Sequence, residues 1–175
     1  MSGEALLIGI ATIAVAVAGF TAVTSTLRPP GGSWSPVMRI RQRAIVSTSF
    51  NVMFEALAPL IAFAWLGDAR SAIEVASAGV AVYAAGIVVW RGRQLFRAGS
   101  FRTLSSLVLF AAGPTATLLF AANALVFASL AVYALALCVQ LSVALISFYT
   151  LVIGCAELTV TSARIRRERT SKRAR

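Results

Sequence analysis

The chain has 175 residues, of which 59% are hydrophobic and 13% are charged, and its formal net charge is +10. Soluble domains are usually about half apolar and about a quarter charged, so this composition argues against a soluble domain and favours a membrane protein. No window shows the short alternating segments of a transmembrane β-barrel. We therefore predict an all-α protein.

Five apolar runs follow one another along the chain, each near the length of about 20 residues that a helix needs to cross a bilayer. They are residues 5–23, 45–65, 72–90, 104–120 and 130–154. We predict a polytopic transmembrane helix bundle of five spans in one domain, residues 1–163, followed by a basic tail, residues 164–175. Only Glu4 is charged before the first run, whereas a cleavable signal peptide normally begins with positive charge. The first run is therefore expected to remain as a span.

Helix-breaking residues mark several boundaries between the predicted spans. Pro36 is predicted to begin the second helix, and Gly67 with Asp68 to form the short turn before the third. The boundary between the fourth and fifth spans is poorly marked. Residues 121–124 are the preferred turn, and residues 128–129 are the alternative.

Small residues recur on two of the predicted helices. Small residues let helices approach closely in membranes, so we predict two packing faces: Gly9, Ala16 and Gly19 on the first helix, and Ser77, Ala81 and Ala85 on the third.

The second run carries a carboxylate, Glu55, near its midpoint. A charge at that depth costs at least about 2.5 kcal/mol on insertion scales and seldom faces lipid. Ser47, Asn51, Glu55 and Pro59 recur at every fourth position, so they form a narrow stripe on one side of the helix. We expect this stripe to face the bundle or a partner.

Two interpretations of Glu55 stay open at this point. In one, the carboxyl belongs to an ion or proton site that Asn51 shares, since intramembrane carboxylates are functional by default. In the other, the carboxyl bonds another helix and fixes the packing register. Gln140, in the fifth run, is predicted to lie at a similar depth. The candidate intramembrane polar site therefore comprises Ser47, Asn51, Glu55 and Gln140.

The basic residues predict the orientation of the chain. Four lie in the loop after the first span, four after the third and seven in the tail, and only Arg70 falls on the opposite side. Positive loops stay in the cytoplasm, so we predict the N-terminus outside and the C-terminus in the cytoplasm. Six loop arginines are candidate contacts for anionic lipid or an acidic partner, although the plainer interpretation is that they only set the topology: Arg39, Arg41, Arg43, Arg91, Arg93 and Arg97.

The sequence offers little for enzymatic chemistry. It contains no histidine, and its only lysine, Lys172, lies in the tail. No metal-ligand cluster, catalytic triad or phosphate-binding glycine loop is present. We therefore expect no enzymatic activity, no cofactor and no metal. We also expect no nucleic-acid partner, because the basic tail lacks interleaved aromatic residues.

Five short stretches from the first span to the third stand in a recognisable order: Ala18-Gly19-Phe20, Trp34-Ser35-Pro36, Arg39-Ile40-Arg41, Leu57-Ala58-Pro59 and Trp90-Arg91. In this order, which covers about half of the chain, the sequence resembles a group of small uncharacterised bacterial membrane proteins. The resemblance implies a location in the bacterial cytoplasmic (inner) membrane and no known activity. It implies nothing about Glu55.

These observations predict an integral membrane protein that acts as an assembly, accessory or interaction component, with a homo-oligomer or another membrane protein as its partner. The alternative is an oligomeric ion or proton channel or transporter with Glu55 in its pathway. Conduction needs a continuous polar route, and each helix here has polar residues at only some levels. The first function is therefore preferred.

Overall fold

The computed structural model describes the backbone of residues 3–26, 36–97 and 104–173, and the side chains of residues 3–24, 42–90, 92, 93 and 111–153. Within these ranges the chain forms five α-helices: α1 (Glu4–Thr26), α2 (Pro36–Leu66), α3 (Ala69–Arg97), α4 (Leu104–Ala122) and α5 (Leu130–Arg173). A π-helical segment, Asn123–Phe127, directly follows α4. The predicted all-α fold class is confirmed, as is the start of the second helix at Pro36.

Four of the described helices are long and apolar enough to cross a membrane. Their apolar segments are Glu4–Thr24, Gln42–Leu66, Ala69–Trp90 and Leu130–Ile153. A further apolar stretch, Ala111–Phe127, is shorter. The helical bundle is therefore compatible with a bilayer, while the number of spans and their orientation stay predictions.

The helices form a ring in which each contacts its neighbours in the chain and α5 closes back onto α1. A contact between α2 and α5 crosses this ring. As a result, α2 packs against three helices: α1, α3 and α5.

Alanines dominate the main core of the bundle. Of the sixteen buried residues in this core, eight are alanines, and the largest side chains are Phe120 and Tyr133. Their rings meet edge to face, with centroids 5.0 Å apart and an interplanar angle of 66°. Small residues allow close helix approach where lipid supplies no hydrophobic driving force between helices, so this core matches a membrane bundle in kind.

The turn between α2 and α3 lies where the sequence predicts it. Gly67 has a φ of +70°, and its N–H donates to the carbonyl of Phe63 at 2.9 Å, as expected of a glycine that ends a helix in the left-handed region. Asp68 then caps α3, because its Oδ2 accepts a hydrogen bond from the Ser71 N–H at 2.8 Å. The cap starts α3 at Ala69, three residues before the predicted start of the third span.

The preferred turn at residues 121–124 is wrong, and the alternative at residues 128–129 is right. The chain stays helical through Phe127 and breaks at Ala128, which has a φ of 46°. The reason is that the Asn123 side chain is held inside the bundle instead of in a turn. The backbone carbonyl of Asn123 accepts the N–H of Ala128 at 2.8 Å, which makes the last turn π-helical.

The two predicted small-residue faces differ in outcome. On α3, Ser77 and Ala81 are buried, whereas Ala85 is exposed. On α1, Ala16 and Gly19 are exposed, and a Cβ at Gly9 or Gly19 would meet nothing within 4 Å. The buried side of α1 is formed by other residues, such as Leu7 and Ile10. Close approach of a helix to the α1 face therefore stays a prediction.

Candidate functional site

Glu55 is buried within the bundle, with 4% of its surface exposed. It lies on α2 at the level where this helix is enclosed by α3 and α5. The side-chain amide of Gln140, on α5, donates a hydrogen bond to its carboxyl. The structure thus brings together the two residues that the sequence places at similar depth.

The backbone carbonyl of Glu55 also receives an unusual donor. In an α-helix it would accept the N–H of the residue four positions later, but that residue is Pro59, which has none. The hydroxyl of Tyr133, on α5, takes its place and donates to this carbonyl at 2.6 Å. Both the main chain and the side chain of Glu55 are therefore tied to α5.

One oxygen of the Glu55 carboxyl has no hydrogen-bond partner among the described residues. This oxygen, Oε2, is buried. A buried polar atom without a partner costs about 1–3 kcal/mol, and such atoms are uncommon in native structures. Gln140 therefore satisfies only half of the carboxyl.

A groove between α2 and α3 has Glu55 in its lining. Its volume is about 390 Å³, which lies in the usual range for binding sites. Its lining is apolar except for Asn51, Glu55 and Tyr83. The lining residues are Asn51, Phe54, Glu55 and Ala58 from α2, and Ala76, Gly79, Val80 and Tyr83 from α3. The Tyr83 hydroxyl donates to Asn51 Oδ1 at 3.1 Å. The groove therefore combines an apolar lining with three polar side chains.

The four residues of the predicted polar site do not form one cluster. Asn51 and Glu55 line the groove, and Gln140 bonds Glu55 from behind. Asn51 bonds Tyr83, and Ser47 is exposed on the outer surface. Among the four residues, Glu55 and Gln140 are therefore bonded to each other, Asn51 shares the groove with Glu55, and Ser47 lies on the outer surface.

The sequence did not indicate two residues of the site, Tyr133 and Tyr83. Pro59 is a signal that the carbonyl of Glu55 needs a donor, since proline removes the helical one. The sequence does not indicate which helix supplies that donor. The sequence contains no comparable signal for Tyr83.

A second polar cluster, separate from Glu55, joins α3 to the π-helical segment. The Asn123 amide nitrogen donates to Ser77 Oγ at 2.8 Å, and Asn123 Oδ1 accepts the N–H of Ser129 at 2.9 Å. Asn123 and Ser77 are fully buried. Because these groups bond one another, they form a structural joint.

The fifth helix also carries polar groups beyond Gln140. Ser147 is buried, and Thr150 donates its hydroxyl to the Ser147 carbonyl at 2.9 Å. A hydroxyl that bonds its own helix in this way is cheap to place in a membrane. Thr150 therefore needs no role in a polar route.

Two of the six candidate loop arginines can be placed. Arg43 and Arg93 are exposed, near the Pro36 end of α2 and the Arg97 end of α3. The side chains of Arg39, Arg41, Arg91 and Arg97 lie outside those that the structure describes. Contact with lipid or with a partner stays a prediction for all six.

Among the described residues, no group of three or more histidine, cysteine, aspartate or glutamate side chains lies close enough together to hold a metal ion. Comparison with family models, with curated proteins and with solved structures finds no match to this chain. The resemblance to small bacterial membrane proteins therefore stays a prediction.

Proposed function

We propose that this chain is an integral membrane protein that acts as an assembly, accessory or interaction component, by binding other transmembrane helices. It has five spans in the bacterial cytoplasmic membrane, with the N-terminus outside and the basic tail in the cytoplasm. The four long apolar helices support the membrane location. The distribution of the basic residues supports the orientation.

The observation that carries the proposal is a row of small and β-branched residues on the outer face of α3. We call it the α3 seam: Val75, Gly79, Val82, Gly86 and Val89. The intervals alternate between four and three residues, which is the spacing that keeps one helix face against another in a left-handed pair. The three valines are exposed, and a Cβ at either glycine would meet nothing within 4 Å.

A similar row lies on α1, the α1 seam: Gly9, Thr12, Ala16 and Gly19. Large residues are exposed elsewhere on the bundle, including Phe20 on α1 and Leu135 and Leu145 on α5. Lipid needs no particular side-chain size, whereas helix interfaces in membranes are enriched in small residues. The outward small residues therefore favour α1 and α3 as the surfaces that bind partner helices.

The basic end of the bundle supports a second contact of this protein, with anionic lipid. Exposed arginines such as Arg43 and Arg93 lie at the end that we place in the cytoplasm. Each basic residue near an anionic lipid surface contributes about 1 kcal/mol of attraction. Binding to anionic lipid would hold the bundle at a fixed depth while its outer helices bind a partner.

Substitution of the seams tests the proposal. Gly86→Leu and Gly19→Leu place a large side chain on each seam without filling any space inside the chain. We expect at least one of them to reduce the complex recovered in mild detergent, or the oligomer cross-linked in membranes. Ala131→Leu is the matched control, because Ala131 is exposed on α5 outside both seams. A complex that survives both glycine substitutions, or is lost equally in the control, overturns the proposal.

A second candidate function is ion or proton passage through Glu55, favoured by the bond between Glu55 and Gln140. Between Glu55 and the Gly67 end of α2, however, every residue of that helix is apolar, and the Tyr133 hydroxyl is engaged by the Glu55 carbonyl. Flux in proteoliposomes under a pH or cation gradient separates the two functions. Flux in the wild type that Glu55→Gln abolishes would favour passage.

A further inference from the structure

We propose that the groove between α2 and α3 receives a transmembrane helix of a different membrane protein, and that this helix carries a lysine or arginine at the level of Glu55. The inference rests on the proposed function and specifies the chemistry of the partner. It combines three observations: a half-satisfied carboxyl, a groove beside a small-residue seam, and the absence of a suitable cation from this chain's own spans.

The carboxyl supplies the recognition chemistry. Glu55 is more than nine-tenths buried and lines the groove, and its Oε2 has no partner among the described residues. Ionisable residues within a membrane pair with one another or with backbone carbonyls. A donor that enters through the groove would satisfy Oε2 while Gln140 keeps its existing bond.

The groove supplies the access. Gly79 lies both on the α3 seam and in the groove lining, beside Ala58 and Ala76. Residues this small let the backbone of a second helix approach closely. A helix that packs along the α3 seam therefore passes over the mouth of the groove, and one of its long side chains can reach Glu55.

The charge of the partner follows from the sequence of this chain. Residues 44–69, 71–90 and 103–163 contain no lysine or arginine. Arg70 is exposed near the Gly67 turn and pairs with Glu74 at 3.2 Å. A second copy therefore has no cation to present at the level of Glu55, whereas a different membrane protein with a basic residue in its span would have one.

The test uses three synthetic transmembrane peptides of leucine and alanine, identical except for a central lysine, glutamine or leucine. Binding is measured in liposomes by energy transfer between a label on the peptide and a label on the N-terminus of the full chain. We expect the lysine peptide to bind the wild type about 3- to 20-fold more tightly than the leucine peptide, the range of one interhelical polar contact in a membrane. Glu55→Gln should remove most of this preference and leave the binding of the leucine peptide unchanged.

Groove-filling variants separate this inference from the proposed function. Gly79→Leu fills the groove beside Glu55, and we expect it to abolish the preference for lysine. Ala131→Leu, at an exposed position on α5 outside both seams, adds the same side chain and should leave the preference intact. An unchanged leucine-peptide affinity in Glu55→Gln also establishes that this variant is folded.

Three outcomes overturn the inference. Equal binding of the lysine and leucine peptides, both lost in Gly79→Leu, would leave the helix-binding function standing and refute the charged partner. No binding of the lysine peptide to the wild type would refute the docking site. If dodecylamine binds with the same dependence on Glu55 while the lysine peptide does not, the groove takes a single-chain amine from the bilayer instead of a helix.

Discussion

The carbonyl oxygen of Glu55 accepts a hydrogen bond from another helix. Pro59 removes the helical donor, and the Tyr133 hydroxyl replaces it across the α2–α5 contact. The proline alone would leave a buried acceptor unpaired, and the tyrosine alone would need another acceptor. The two residues are therefore expected to act as a coupled pair.

Tyr133→Phe tests this coupling. In the wild type it should lower the free energy of unfolding by about 1–3 kcal/mol, because a buried carbonyl loses the hydroxyl that bonds it. In a Pro59→Ala background the loss should be much smaller, because the N–H of the alanine can bond the Glu55 carbonyl. Unfolding by SDS in mixed micelles measures both steps of this double-mutant cycle. An equal loss in the two backgrounds would contradict the coupling.

At the surface, the Asp68 cap of α3 also depends on specific hydrogen bonds, here with Ser71. The backbone N–H of Ser71, and then its hydroxyl, hold the pKa of the Asp68 carboxyl below its usual value. Since the folded-state pKa lies below the unfolded-state pKa, the cap stabilises α3 fully at neutral pH. This stabilisation is lost as the pH falls through the folded-state pKa.

Asp68→Ala should therefore be less stable than the wild type at pH 7, and the difference should narrow below about pH 4. Asp68→Asn keeps a capping oxygen without a titrating group, so its stability should lie nearer the wild type and vary less with pH. Unfolding curves of the three proteins across this pH range provide the measurement. A gap that stays constant with pH would rule out a role for the ionised carboxyl.

At the scale of the elements, one buried side chain holds the joint between α4 and α5. Asn123 bonds Ser77 on α3 and the N–H of Ser129 at the start of α5. The π-helical segment has about one more residue per turn than an α-helix, and the helix ends at Ala128, whose backbone lies in the left-handed region. One side chain thus sets where α4 ends and how α5 begins.

Asn123→Ala should cost about 1–3 kcal/mol of unfolding free energy, because it leaves the Ser77 hydroxyl and the Ser129 N–H buried or half-buried without their partner. Ser49→Ala is the control. Ser49 Oγ is also buried but has no partner among the described residues, so its removal should be neutral or stabilising. A similar cost for both variants would mean that buried volume, and not the hydrogen bonds, decides the effect.

At the scale of the whole molecule, the prediction concerns topology. Fifteen of the sixteen basic residues lie on one side of a five-span arrangement, and positive loops are retained in the cytoplasm. A reporter fused after Arg175 should therefore be active only in the cytoplasm, and one placed before Glu4 only outside. A cytoplasmic N-terminal reporter, or an external C-terminal one, would require an even number of spans or the opposite orientation.

The same scale explains how a bundle with so few large core residues can remain closed. Alanines fill half of the main core, and polar contacts between Asn123 and Ser77, and between Tyr133 and the Glu55 backbone, link helices that are distant in the chain. In lipid these contacts compete with no water. The outer faces of α1 and α3 repeat this small-residue chemistry towards the membrane, which is why we assign them to partner helices.

The sequence by itself determined the elements: the helical class, the apolar runs, the start at Pro36 and the turn at Gly67, because hydrophobic run length and proline or glycine chemistry act locally. It also singled out Glu55, since a carboxylate in an apolar run is costly wherever the helix packs. The tertiary structure decided which groups meet. Three features depend on helix rotation and neighbour order. They are the helix that supplies the donor to the Glu55 carbonyl, the position of Asn123 inside the bundle instead of in a turn, and the outward direction of the small residues of α1. Rotation and order are set by packing between segments far apart in the chain, and a local pattern of residues does not specify them.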